Sequence, residues 1–368
     1  MLVDAIKGVA APHLARMMSR DLQKAEQGKT AAMRQHEYMV ARESILGDLS
    51  SMPVSTTQEC ITNAKAARRK ERLDLVSREL VACPKHATEA ARLRKDMDEV
   101  EYMRCAKHVY LANDPKAPAE LRANPPPGFL RPTPEQLKEM GLHDKILAPP
   151  DSNFRAAIYL KDPTVWGSNA APKAVLALRG STPQEEDWNN NFSQDANHKS
   201  LYYQKAVQMG NLLAAMKVSI HIVGHSLGGG LASAVQGGSG LSASTYNAAG
   251  LHPATVARYS KDSEHTAAEA EKITAVRVKD EVLTKTQENF VESRGLSLLA
   301  NEAVGTKRDL APFHDEAAYR SLKTEGKILG SESYDSYLHG MDEVIAATEK
   351  GKTSDEATLK NCSDNRRA

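Results

Sequence analysis

Two textures of hydrophobic spacing divide the chain. Up to about residue 113 the apolar positions recur at helical intervals among good helix formers, Ala, Arg, Lys, Glu, Met and Leu. Leu73, Val76, Leu80 and Cys83 lie three, four and three residues apart, which predicts one apolar stripe on a helix. Pro84 ends that helix, and a second is predicted over about 88–111. SSMPVSTT at 50–57 breaks the earlier helical stretch. From about residue 154 the texture changes. FRAAIYL at 154–160, AVLAL at 174–178, VSIHIV at 218–223, 243–246 and 273–278 are short, dense apolar runs, the pattern of strands covered on both faces. Helical stretches at 200–216 and 227–236 alternate with them. Strand and helix in alternation predict an α/β class with a mostly parallel sheet.

Between these halves lies a region that proline keeps irregular. Asn124-Pro125-Pro126-Pro127-Gly128 is followed by Pro132, Pro134, Pro149 and Pro150. Proline lacks a backbone donor and fixes its own φ, so regular structure is excluded at 124–128, and the later prolines continue the theme. The expected organisation is a helical N-terminal region at 1–113 that caps, delivers or packs. A proline-rich connecting segment at 114–153 follows, then an α/β domain at 154–350. A polar, loosely ordered tail is expected at 351–368.

Composition narrows the possible chemistry. Of 368 residues, 41% are apolar and 5% aromatic, enough for a sizeable core built mainly of aliphatic side chains. Lys plus Arg number 48 against 47 for Asp plus Glu, so no net field gathers nucleic acid. No apolar run is long enough to span a bilayer, and Lys7 and His13 interrupt the N-terminal stretch where a signal peptide would need a clean run. The cysteines, Cys60, Cys83, Cys105 and Cys362, form no C-x-x-C pair, so no zinc, other metal or cofactor is expected. They are read as free thiols or as one or two disulfides, with Cys60 to Cys83 a conceivable bridge between helices.

The chemistry gathers at Gly224-His225-Ser226-Leu227-Gly228, a G-x-S-x-G with an apolar strand before it and a helix of small residues after it. That context is the nucleophile elbow: Ser226 sits on a tight strand-to-helix turn, and side chains two residues before and after would collide. Leu227 N–H, at the helix N-terminus, is then a natural oxyanion donor. His225 is read as a packing or hydrogen-bonding residue, because neighbours on a sharp turn point different ways. In this order of elements an acid and then a histidine base should follow. Asp280 ends the apolar strand at 273–278 and is the expected acid, with Glu281 the nearest substitute. The histidines beyond it are His314 and His339; His339, entering a late helix, is the expected base and His314 the alternative.

A buried strand ending in Arg179-Gly180-Ser181, then Asp187-Trp188-Asn189-Asn190-Asn191, then GHSLGG and Tyr246-Asn247-Ala248-Ala249-Gly250 resembles the class 3 (fungal-type) lipase family over roughly 154–346. DWNNNFSQ, GHSLGGGLAS and YNAAGLHP are most similar to lipase effectors of bacterial secretion systems, the type VI lipase effectors. The resemblance implies an α/β-hydrolase fold with a mostly parallel central sheet, and Ser181 as the second oxyanion donor. It implies a serine esterase acting on glycerolipids, phospholipid before triglyceride, at a membrane surface. It further implies a membrane-degrading antibacterial toxin made in a bacterial cytoplasm and delivered to a target cell's periplasm. Such a toxin has a neutralising immunity protein and a secretion-machinery component as partners. The polar stretch 181–200 could move as a lid, and Asp187 and Asn191 are expected to brace its loop. The same catalytic residues would serve an acyltransferase or a soluble-ester esterase, and a non-catalytic binding protein is the remaining alternative.

Overall fold

The computed structural model describes residues 2–261, 264–288 and 301–364. Seven strands form one sheet in sequential order: β1 (Phe129–Leu130), β2 (Ala156–Lys161), β3 (Ala174–Leu178), β4 (Ile220–His225), β5 (Ala243–Tyr246), β6 (Ile273–Val278) and β7 (Thr306–Leu310). β1, β2 and β3 pair antiparallel; β3 through β7 run parallel. The α/β class and mostly parallel sheet expected from the apolar runs are therefore what the chain forms. Two strands escaped that reading. β7 is the edge strand Thr-Lys-Arg-Asp-Leu, whose charges suit an exposed edge. β1 is two residues long and comes from the proline-rich segment, which also forms short helices at 119–123, 134–139 and 144–147.

Period-two alternation explains why the central strands are apolar throughout. Ala174, Leu176 and Leu178 of β3 with Ile220 and Ile222 of β4 face one layer, formed by the helices Leu201–Ala215 and Leu227–Ser239. Val175, Ala177, Val223, Val276 and Val278 face the other. That second layer is made by a helix of the N-terminal region and one of the C-terminus. The N-terminal third folds as four long helices: α1 (Leu2–Gly28), α2 (Ala31–Leu46), α3 (Gln58–Ala82) and α4 (Ala87–Leu111). Val100, Met103, Ala106 and Val109 of α4 share one core with the sheet, with Leu338, and with Met341, Val344 and Ile345 at the start of the C-terminal helix Met341–Asp364. Helix α1 lies along the helix Glu185–Asp195, with Ser19 Oγ donating to the Pro183 carbonyl at 2.6 Å.

Three expectations need correction. The buried face of α3 is not the stripe through Leu80, which is 44% exposed. It runs through Arg69, Arg72, Leu75, Val76 and Glu79, so of the expected stripe Val76 is buried, Leu73 is half-buried and Leu80 turns outward. The arginines are tolerated because neighbouring helices supply carboxylates: Arg72 meets Glu356 at 2.7 Å and Arg69 meets Asp98 at 2.7 Å. The stretch after residue 350 is no loose tail but the rest of the C-terminal helix to Asp364, anchored by buried Leu359; residues 365–368 lie outside the described part. Finally, Cys83 is bonded to Cys362, not to Cys60; Cys60 is exposed and Cys105 buried. Among the described residues no helix is long and apolar enough to cross a membrane.

Candidate active site

β4 delivers the chain into a turn at which Ser226 takes φ 58° and ψ −129°, a conformation non-glycine residues rarely occupy. The surrounding backbone holds it there. Ser226 N–H donates to the Tyr246 carbonyl, and its own carbonyl accepts from the amides of Gly229, Gly230 and Ala249. The flanking glycines are required by contact. A β-carbon on Gly224 would stand 2.0 Å from the Gly228 carbonyl oxygen, and one on Gly228 would stand 2.2 Å from that of Leu178. Leu227 opens the following helix, so its N–H has no carbonyl within that helix.

The acid facing the histidine is Glu281, not Asp280. Beyond Val278 the chain turns through Asp280 in the left-handed region (φ 66°), leaving Asp280 exposed and swinging Glu281 inward to full burial. Glu281 Oε2 accepts from His339 Nδ1 at 2.7 Å. Leu283 N–H donates to Oε2 at 2.9 Å, and the Thr284 amide and hydroxyl donate to Oε1. Burial alone would raise this carboxyl; the hydrogen bond and charge of His339, together with the bonds from Thr284 and Leu283, outweigh burial and hold it below its ordinary value. The Asp-Glu pair was visible in the sequence, but only the left-handed turn decides which member faces in.

His339 follows the short helix Tyr334–Leu338 and stands beside the elbow. Its ring centroid is 4.8 Å from that of His225, and its carbonyl accepts from His225 Nε2 at 2.8 Å and from Asn247 Nδ2 at 3.0 Å. His314 engages different partners: Glu343 at 2.8 Å through Nδ1, the Tyr337 hydroxyl, and Tyr334, which bonds its carbonyl. Among the described residues none of its hydrogen bonds or ring contacts reaches the elbow.

Ser181 follows β3, between two neighbours that are tied down. The Thr182 amide and hydroxyl donate to Asp187 Oδ2 at 2.8 and 2.7 Å. Asp187 also accepts from Tyr202 and Asn153, and Trp188 Nε1 donates to the Thr182 carbonyl at 3.0 Å. Asp187 thus braces this loop as expected, and Asn191 is buried on the same helix. Gly180 lies against the hydroxyl of Tyr110, a residue of α4 that no motif singles out. Among the described residues, the three metal-ligating side chains that cluster are Glu79, Cys83 and Cys362, whose sulfurs are joined to each other.

Residues 101–323 match the phospholipase-like family described as a Tle-like phospholipase domain. The match takes in Tyr110, Ser181, Ser226 and Glu281 and stops short of His339. The chain is also similar to the extracellular phospholipase A1 of Serratia liquefaciens, at 33% identity over 165 residues, 44% of this chain and 49% of the relative. It therefore spans about half the length of that curated relative. With the match covering more than half of its residues, the chain belongs to the phospholipase-like family with a Tle-like phospholipase domain.

Proposed function

We propose that the protein hydrolyses a carboxylic ester of glycerophospholipids, as a phospholipase A working through an acyl-enzyme on Ser226. The observation that carries this reading is the serine held at φ 58° in a turn whose His225 ring lies 4.8 Å from that of His339, with His339 Nδ1 bonded to a buried glutamate. His339 Nε2 takes the proton of Ser226 as its oxygen attacks the acyl carbonyl. Glu281 fixes the tautomer of His339 and stabilises the imidazolium that forms. The Leu227 and Ser181 amides hold the oxyanion. The lysophospholipid leaves with the proton from His339, and water, activated by the same ring, releases the fatty acid.

The name of the Serratia relative favours attack at the first acyl position. The likeness of DWNNNFSQ and GHSLGGGLAS to secreted lipase effectors supports an antibacterial role, with an immunity protein as partner. The test is fatty-acid release from vesicles of phospholipid labelled in one acyl chain, for the wild type beside Ser226→Ala. Release that depends on Ser226 is expected; full activity of Ser226→Ala overturns the mechanism, and cleavage of soluble short-chain esters alone overturns the phospholipid substrate. For the effector role, export to the periplasm of a test bacterium should stop growth only when Ser226 is present.

A further inference from the structure

The residue next to the nucleophile and a tyrosine from the helical first third make one chain of hydrogen bonds that the proposed acyl transfer leaves unused. His225 lies on the α4 side of the sheet, in line with His221 and Val223 of the same strand. Its Nε2 stands 2.8 Å from the carbonyl of His339, and a carbonyl only accepts, so Nε2 carries the proton. Burial, and after it the nearby His339, press the pKa of His225 down to about 3, so the ring is neutral and Nδ1 is an acceptor. The Tyr110 hydroxyl, 3.1 Å from Nδ1 and 3.3 Å from the His225 carbonyl, is therefore the donor to His225. The same hydroxyl oxygen faces Gly180. A β-carbon on Gly180 would stand 2.0 Å from that oxygen, so the approach depends on glycine. At the far end, Asn247 holds the His339 and Leu338 carbonyls through Nδ2 and the Val278 amide through Oδ1, tying the histidine to the end of β6.

Resting on the proposed Ser226 chemistry, we propose that Tyr110 and His225 are positioning residues. Together they lock the oxyanion loop at Gly180, the elbow and the backbone of His339 into one register, so that α4 completes the active site. Neither touches substrate; both act through the placement of His339 and the loop before Ser181. A displacement of about 1 Å at a reacting group costs on the order of 100-fold in rate, and loss of one link should give a part of that.

Tyr110→Phe removes one oxygen and keeps the ring. The expected result is a kcat about 10-fold lower with KM within twofold of wild type. His225→Leu should lose more and His225→Gln, which keeps a donor toward the His339 carbonyl, less. Tyr110→Phe should cost less in the His225→Leu background than in the wild type, because the hydroxyl works in part through the ring and in part through its contacts with Gly180 and the backbone carbonyl of residue 225. A second readout is independent of turnover: the downfield proton resonance of the His339 Nδ1–H bonded to Glu281, identified by its loss in Glu281→Gln, should broaden in Tyr110→Phe. Unchanged kcat with an unchanged resonance in Tyr110→Phe overturns the proposal, as does a raised KM at unchanged kcat. If the wild type shows no Ser226-dependent ester cleavage, the functional reading fails instead, and the resonance still decides whether Tyr110 positions His339.

Discussion

Neighbouring carboxylates meet opposite fates just beyond the end of β6. Asp280 spends its side chain in solvent to make a left-handed turn, and Glu281 takes the buried position against His339. Glu281→Gln should therefore lower kcat by about 10³- to 10⁴-fold, the scale seen when a catalytic histidine loses its tautomer-fixing carboxylate. Asp280→Asn should leave kcat within about threefold, since surface changes away from a network cost little. Steady-state kinetics on one ester substrate compares both. The pH dependence of stability follows from the lowered pKa of Glu281. Its ordinary value is 4.5 and its folded value is below that, so its stabilising contribution is fully present above pH 4.5 and is lost as pH falls through the folded value. Urea unfolding of wild type and Glu281→Gln should thus differ at pH 7 and converge in acid. Ser226 was plain in the sequence, because glycines at 224 and 228 between an apolar strand and a small-residue helix fit a nucleophile elbow and little else. His339 was singled out by order alone, and the structure sets it between His225 and Glu281. The choice between 280 and 281 was not legible, since it lies in a single backbone angle.

Among the elements, legibility followed apolar density. β3, β5 and β6 have the bounds expected from their runs because both faces of each are covered. β7 was invisible because an edge strand needs little apolar content, and the end of the C-terminal helix because its cohesion is largely ionic. There Asp355 and Glu356 bind Arg92, Arg68 and Arg72 across to α3 and α4, and charged partners give no periodic hydrophobic signal. The helix still carries a hydrophobic anchor near its end. Leu359 is fully buried among Leu75, Val76, Leu93 and Met97. Leu359→Ala should destabilise the protein by about 3 kcal/mol in denaturant unfolding, as truncation of a buried leucine does. The same helix begins two residues after His339, so its anchoring bears on where that histidine stands as well as on the stability of the fold.

At the scale of the whole molecule, the sheet lies between a layer that comes from the middle of the chain and one assembled from its two ends. Cys83 and Cys362 join those ends covalently. Cross-linking so long a stretch is worth up to about 5 kcal/mol through the unfolded state. Reduction, or serine at both positions, should lower the unfolding free energy by about 2–5 kcal/mol, measured by denaturant titration. The bond also changes what a protease can accomplish. Every strand of the sheet, and Ser226, Glu281 and His339 with them, falls between residues 83 and 362, so a single cut there opens a ring without releasing a fragment. A nicked molecule should run as one species on a non-reducing gel and as two on a reducing one. A protein of this design could lose its continuity to a protease and still keep all three residues of the proposed site attached.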